Sequence, residues 1–216
     1  MTPLTFKQIH SIKDSYYDGA MIIYKESFPP SELQPLSKIS ERIIPGKSQL
    51  FVGIIEEEVI CMALLWDFNN TNFTLLDYMA VSEKHRNNNF GSKLFNFLVD
   101  KVISNHKFML IEAENYLYGE NREQRKKRIN FYLKNGSYLL GNVPYMLPPL
   151  DNSAPLEMQL MIAPKYKIGT LKKSEIENLI KRLYCVIYEK SENDALLVAV
   201  LKKIPNKITL LNKRIV

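Results

Sequence analysis

Apolar side chains recur at mixed three- and four-residue steps through Phe6, Ile9, Ile12, Tyr16, Tyr17, Ala20, Ile23 and Phe28, which predicts a helix over residues 6–28. Pro29-Pro30 would stop it. Residues 31–43 predict a second, shorter helix before Pro45-Gly46. Residues 49–55 and 59–68 are apolar runs joined by Glu56-Glu57-Glu58, the outline of a hairpin. After a polar turn at 69–72, residues 73–81 make a third run. An amphipathic stretch at 92–103 and a short apolar strand at 107–113 follow. Two further strands are expected at 137–146 and 156–162, separated by the proline-rich loop 147–155. Antiparallel strands first, then strand–helix–strand–helix–strand, predict an α/β (α+β) fold. Its central sheet is mixed and mainly antiparallel, with helices on both faces.

The chain divides into residues 1–163, which carry this pattern, and a basic C-terminal extension, 164–216. Ser174 with Glu177, and Ser191 with Asp194, have the spacing of helix caps. Ile176, Leu179, Ile180, Leu183, Tyr184 and Ile187 form one apolar stripe, as a helix would. Residues 195–201 are almost continuously apolar and fit a second helix or a short strand. A helical extension of this kind would pack on the main domain or on a second subunit, so a homodimer through it stays open.

The net charge of +6 raises the question of nucleic acid. Residues 171–216 hold ten Lys/Arg against five Asp/Glu, and a second basic cluster spans 122–128. Neither is interleaved with the aromatics on which bases stack, so solvated helix faces are the expected reading. A further possibility at the second cluster is that Arg125, Lys126 or Lys127 meets a phosphate. Apolar content of 46% and charged content of 24% are ordinary for a soluble protein. No apolar run approaches the ~20 residues of a membrane-spanning helix. The N-terminus lacks a basic start followed by an apolar block, so no secretory signal is expected. Cys61 and Cys185 lie in separate apolar runs and read as two buried thiols of a reducing compartment, hence a cytoplasmic protein. His10, His85 and His106 are scattered without metal-ligand spacing, and no metal is expected. There is no P-loop, dinucleotide fingerprint or serine elbow.

Residues 81–91, VSEKHRNNNFG, say most about chemistry. A strand ends at Val81, a polar turn carries Arg86 to Phe90, and a helix begins near Gly91. Exposed N–H groups at a helix start, with the helix dipole behind them, hold an anion such as a phosphate. These residues resemble the acyl-CoA-binding motif of the GNAT superfamily of N-acetyltransferases. That motif runs Val, four residues, Arg or Gln, two residues, Gly, one residue, then Gly or Ala. Val81, Arg86 and Gly91 match it, and Asn89 stands at the first glycine. Asparagine tolerates left-handed backbone angles better than most residues, so the turn is expected to survive. Downstream, residues 130–138, NFYLKNGSY, resemble the end of a second motif of the superfamily, with Tyr132 and Gly136 at its Tyr, three residues, Gly spacing. Gly136 reads independently as the residue that ends a helix. The resemblance covers residues 1–163.

It implies acetyl-CoA as co-substrate, an amine acceptor, and direct attack of that amine on the thioester. Met79, Ala80 and Val81 would pair through their backbone with the pantetheine arm. Arg86, Asn87, Asn88, Asn89, Phe90, Gly91 and Ser92 would present N–H groups to the pyrophosphate. Tyr132 stands where the superfamily places the acid that protonates the leaving sulfur; a packed aromatic on an amphipathic helix is the plainer alternative. Glu112, at the end of the strand 107–113, is the candidate base, with Glu114 and Glu26 behind it. Period-two geometry sets Glu112 and Glu114 on one face, where each could raise the other's pKa. A strand-end carboxylate, a binder of a cationic substrate, or a water chain in place of a base are its alternatives. Glu26, Asp77, Glu112 and Glu114 could form an acidic mouth suited to a cationic small-molecule amine. Two rivals remain: a catalytically silent acyl-CoA-binding sensor of the same fold, and a basic nucleic-acid-binding module.

Overall fold

The structure is a computed structural model that describes residues 3–30, 32–43, 47–68, 71–149, 154–164 and 169–215. Pro45-Gly46, the start of the polar turn at 69–72 and the middle of the loop 147–155 lie outside the described residues. The chain forms two compact units, Met1–Asn69 with Thr74–Asn105, and Asn70–Phe73 with His106–Val216.

The first unit holds β1 (Thr5–Ile9), α1 (Tyr17–Ser27), α2 (Leu36–Ile43), β2 (Ser48–Ile55), β3 (Glu58–Asp67), β4 (Phe73–Val81) and α3 (Phe90–Ser104). Its strands lie in the order β1-β2-β3-β4, each antiparallel to the next. Alternation along β2 shares its side chains between two helical layers. Leu50, Val52 and Ile54 join Met62, Leu64, Tyr78 and Ala80 under Ala20, Ile23 and Tyr24 of α1 and Ile39 and Ile43 of α2. Phe51 turns the other way, and Phe97 of α3 stacks at 4.6 Å on Phe6 and edge-on at 5.8 Å to Phe51. The helix expected over 6–28 is therefore two elements. Residues 5–9 form a strand because their backbone pairs with β2, Thr5 opposite Ile54 and Ile9 opposite Leu50. That pairing overrides a three-and-four spacing that fits a helix equally well.

The β2–β3 connection is a two-residue hairpin, Ile55 pairing with Glu58. Glu56 and Glu57 take φ of 48° and 64°, where Asn-Gly is the usual solution. We expect Glu56→Asn to raise unfolding free energy by about 0.5–1 kcal/mol, since a left-handed angle suits asparagine better than glutamate. A chemical-denaturation midpoint that stays put or falls would contradict this.

The second unit holds β5 (Phe108–Glu114), α4 (Arg122–Lys134), β6 (Tyr138–Leu140), β7 (Tyr145–Leu147), β8 (Leu156–Ala163), α5 (Lys173–Arg182), α6 (Ala195–Lys202) and β9 (Leu210–Leu211). β8 runs antiparallel to β5, β6 and β7, and β9 closes on β6. The single strand expected over 137–146 is broken into β6 and β7 by the turn through Gly141 and Pro144. Gly136 takes φ of 88° beyond α4, and the N–H groups of Gly136 and Ser137 donate to the carbonyls of Leu133 and Tyr132 at 3.1 and 3.0 Å, the ending expected of it. The extension is helical at α5 and α6 and then returns a strand. Its caps sit elsewhere than the spacing indicated. Glu175 accepts the Lys172 N–H at 2.8 Å before α5, and Asp194 alone caps α6, accepting from Leu196 and Leu197.

Candidate active site

The loop from β4 to α3 has the form the sequence implied. A one-turn helix at Glu83–His85 leads into it, held by Ser82 Oγ and His85 Nδ1 at 2.8 Å. Asn87 and Asn89 take φ of 66° and 62°. Asn89 thus adopts the left-handed geometry of the glycine it replaces, and α3 starts immediately after it with no side chain capping its end. Residues 87–89 are exposed, while Phe90, Gly91 and Ser92 are half-buried. Arg86 is also exposed, its Nε donating to the Val81 carbonyl at 3.3 Å. On β4, Met79, Ala80 and Val81 pair with Ala63, Met62 and Cys61 of β3. The Cys61 thiol is buried and its pKa pushed up to about 12 by desolvation. Cys185 is only half-buried, so the expectation of two buried thiols holds for one of them.

Asp77 does not open onto an acidic mouth. The β3–β4 register shifts by one residue between Leu64 and Leu65, Tyr78 pairing with Leu64 and Leu76 with Leu65, which leaves Asp77 as the extra residue of a bulge. Its carboxylate stands 3.7 Å from the Arg42 guanidinium, both side chains nearly buried at 11% and 12% exposure. Arg42 in turn lies 4.5 Å over the Trp66 ring. Burial raises the Asp77 pKa to about 6, against the pull of Arg42. Glu26 is exposed and lines, with Tyr16, Ile22, Glu57, Glu58 and Glu83, a cleft of about 750 Å³ beside α1.

In the second unit Tyr132 lies on α4 at 9% exposure, its ring 5.2 Å from that of Phe131. Desolvation raises its phenol pKa, which Arg128 lowers in part, so it keeps its proton. Glu112 and Glu114 are separated by their partners. Glu114 meets Arg125 at 2.9 Å and Arg128 at 3.4 Å. Arg125 also donates to the Tyr118 carbonyl at 2.5 Å, so it is committed within the protein and not extended toward a phosphate. Glu112 instead accepts hydroxyls from two tyrosines, Tyr145 on its Oε1 and Tyr188 on its Oε2, the latter at 2.7 Å. Burial first, and then the Glu112 charge, raise the Tyr145 pKa well above the ordinary phenol value. Sequence reasoning missed both tyrosines. Tyr188 follows the apolar stripe of the extension, 76 residues from Glu112, and nothing local marks it.

Among the described residues no three His, Cys, Asp or Glu side chains gather as a metal site, and no helix is long and apolar enough to cross a membrane.

The sequence profile of the acetyltransferase (GNAT) family matches residues 13–136. A search of curated proteins found no match. Solved structures share the fold. One is a GNAT-family protein from Bacteroides thetaiotaomicron, 24% identical, with TM-score 0.71 over 87% of this chain and 99% of that one. The aminoglycoside 6′-N-acetyltransferase from Enterococcus faecium is 15% identical, with TM-score 0.56 over 76% of this chain and 99% of that one. A GNAT-family acetyltransferase from Elizabethkingia anophelis, solved with acetyl-CoA bound, is 16% identical, with TM-score 0.50 over 74% of this chain and 97% of that one.

Proposed function

The chain belongs to the acetyltransferase (GNAT) family, and from that premise we propose that it moves an acetyl group from acetyl-CoA to the primary amine of a cytoplasmic small-molecule acceptor. The observation that carries this reading is the left-handed Asn89 ahead of an α3 start that no side chain caps. It supports a diphosphate held by the N–H groups of Phe90, Gly91 and Ser92, with exposed Arg86 adding positive charge. Met79, Ala80 and Val81 serve the pantetheine arm through backbone, as the family motif implies. Acetyl-CoA supplies the thioester. Tyr132, protonated throughout the physiological range, gives its proton to the departing thiolate. Glu112 receives the proton of the attacking amine.

A catalytically silent acyl-CoA-binding protein is the second reading, and the burial of Tyr132 favours it. Isothermal titration and thiol release separate the two. Acetyl-CoA binds under both readings, but free thiol appears with a panel of small primary amines only if the protein is a transferase. Asn89 also gives a binding test. Valine is poorly suited to φ of 62°, at a cost of about 1–2 kcal/mol. Asn89→Val therefore weakens acetyl-CoA binding by roughly five- to thirtyfold, and Asn89→Gly preserves it. Equal affinity in Asn89→Val and the parent would remove this loop from the binding site.

A further inference from the structure

The C-terminal extension reaches Glu112 with a built arrangement of side chains. A π-helical turn, Leu183–Ile187, follows α5 and closes with Tyr188 N–H on the Leu183 carbonyl at 3.1 Å and Lys190 N–H on the Tyr184 carbonyl at 2.9 Å. Such turns gather at functional positions. Glu189 accepts a left-handed φ of 53° to make this ending. The segment is tied down at two further points: Tyr184 donates to the Met146 carbonyl at 2.5 Å, and Lys190 Nζ to the Pro149 carbonyl at 3.2 Å. The Tyr184 ring stands edge-on to Tyr145 at 6.3 Å and to Tyr188 at 6.5 Å. Three tyrosines from β7 and the extension thus converge around one half-buried carboxylate at the end of β5.

We propose that Tyr188, brought by the extension, is a positioning residue for Glu112: with Tyr145 it fixes the carboxylate's two oxygens, so the extension is a working part of the acceptor site. This rests on the reading of Glu112 as the group that meets the amine. The physical reason is that a strand-end glutamate has several rotamers, and a base must hold hydrogen-bond reach to the proton it takes. One phenol on each oxygen selects a single rotamer, and a carboxylate oxygen has lone pairs enough to accept more than one donor. The groups facing Glu112 include the hydroxyls of Tyr145 and Tyr188, and the charge of Glu112 is felt also by Tyr184. Glu114, two residues along the strand, is occupied by Arg125 and Arg128.

The test uses the full chain with glutamate labelled by carbon-13 at the side-chain carboxyl, the signal missing in Glu112→Gln marking Glu112. Tyr188→Phe and Tyr145→Phe each delete one hydroxyl and keep the ring, so packing is retained. The Glu112 titration midpoint should rise by about one pH unit in either variant, because each removes a hydrogen bond to the charged form. Thiol release should fall about tenfold in kcat/KM in Tyr188→Phe, with its acid limb displaced the same way. This titration needs no acceptor. An unmoved midpoint in Tyr188→Phe overturns the proposal for the extension alone. Full thiol release by Glu112→Gln overturns the reading of Glu112 on which the proposal stands.

Discussion

Tyr132→Phe lowers kcat for acetyl transfer by about a hundredfold or more and leaves acetyl-CoA affinity unchanged. The substitution removes one oxygen and keeps the ring that fills its place on α4, 5.2 Å from Phe131, so the fold should survive it. Burial sets the direction of the chemistry. A phenol with its pKa raised above the ordinary value of 10.0 is protonated at any physiological pH, which suits a proton donor and disqualifies a base. Tyr132 consequently contributes no basic limb to the rate profile below about pH 10. The measurement is steady-state thiol release alongside titration calorimetry. A variant as fast as the parent would take Tyr132 out of the mechanism and leave it as packing.

The second large effect concerns stability and its dependence on pH. Asp77 ionises in the unfolded chain near the ordinary aspartate value of 3.8, whereas in the folded protein burial lifts that to about 6. Between those values the folded protein binds more protons than the unfolded one, so stability falls as pH rises. A shift of roughly two units corresponds to about 3 kcal/mol, with the benefit complete below pH ~4 and lost above pH ~6. The difference in unfolding free energy between the parent and Asp77→Asn isolates this group. The cost of leaving Arg42 over Trp66 without its carboxylate is the same at every pH and cancels from the slope. Relative to Asp77→Asn, the parent should lose about 3 kcal/mol between pH ~4 and pH ~7 by urea denaturation. A flat difference across that range, or a rise, would show that Asp77 ionises in the fold as it does in water.

Where long apolar runs are bounded by polar turns, the elements were legible. β2, β3 and β4 fall within a residue or so of the runs that indicated them, because a strand buried along its length must be apolar along its length. The β4–α3 loop was legible too, since asparagine is among the few residues that supply a left-handed angle at position 89. Other features depend on partners distant in the chain. Phe6 and Ile9 carry a spacing that suits a helix, and only the hydrogen bonds of β2 make them a strand. Leu139 and Met146 looked continuous, yet β6 pairs with Met161 and Ile162 while β7 pairs lower on β8 with Met158 and Leu156. The candidate site divides the same way. Tyr132 and Glu112 carried local signals, but Tyr145 and Tyr188 are two among 12 tyrosines until the fold sets them on one carboxylate. Glu114 read as a companion of Glu112 by period alone, and the arginines of α4 claim it.

The odd residue in β4 splits one strand into two phases. Leu76 and Tyr78 would share a face in a regular ladder, yet pairing with Leu65 and Leu64 sends them to opposite sides. Excising Asp77 would join the two phases into an unbroken ladder while every remaining residue of β4 keeps its partner and its face against β3. Such a shortened chain would keep its sheet and lose the carboxylate that stands against Arg42, so the extra residue is an addition to the strand and not a thread of its weave.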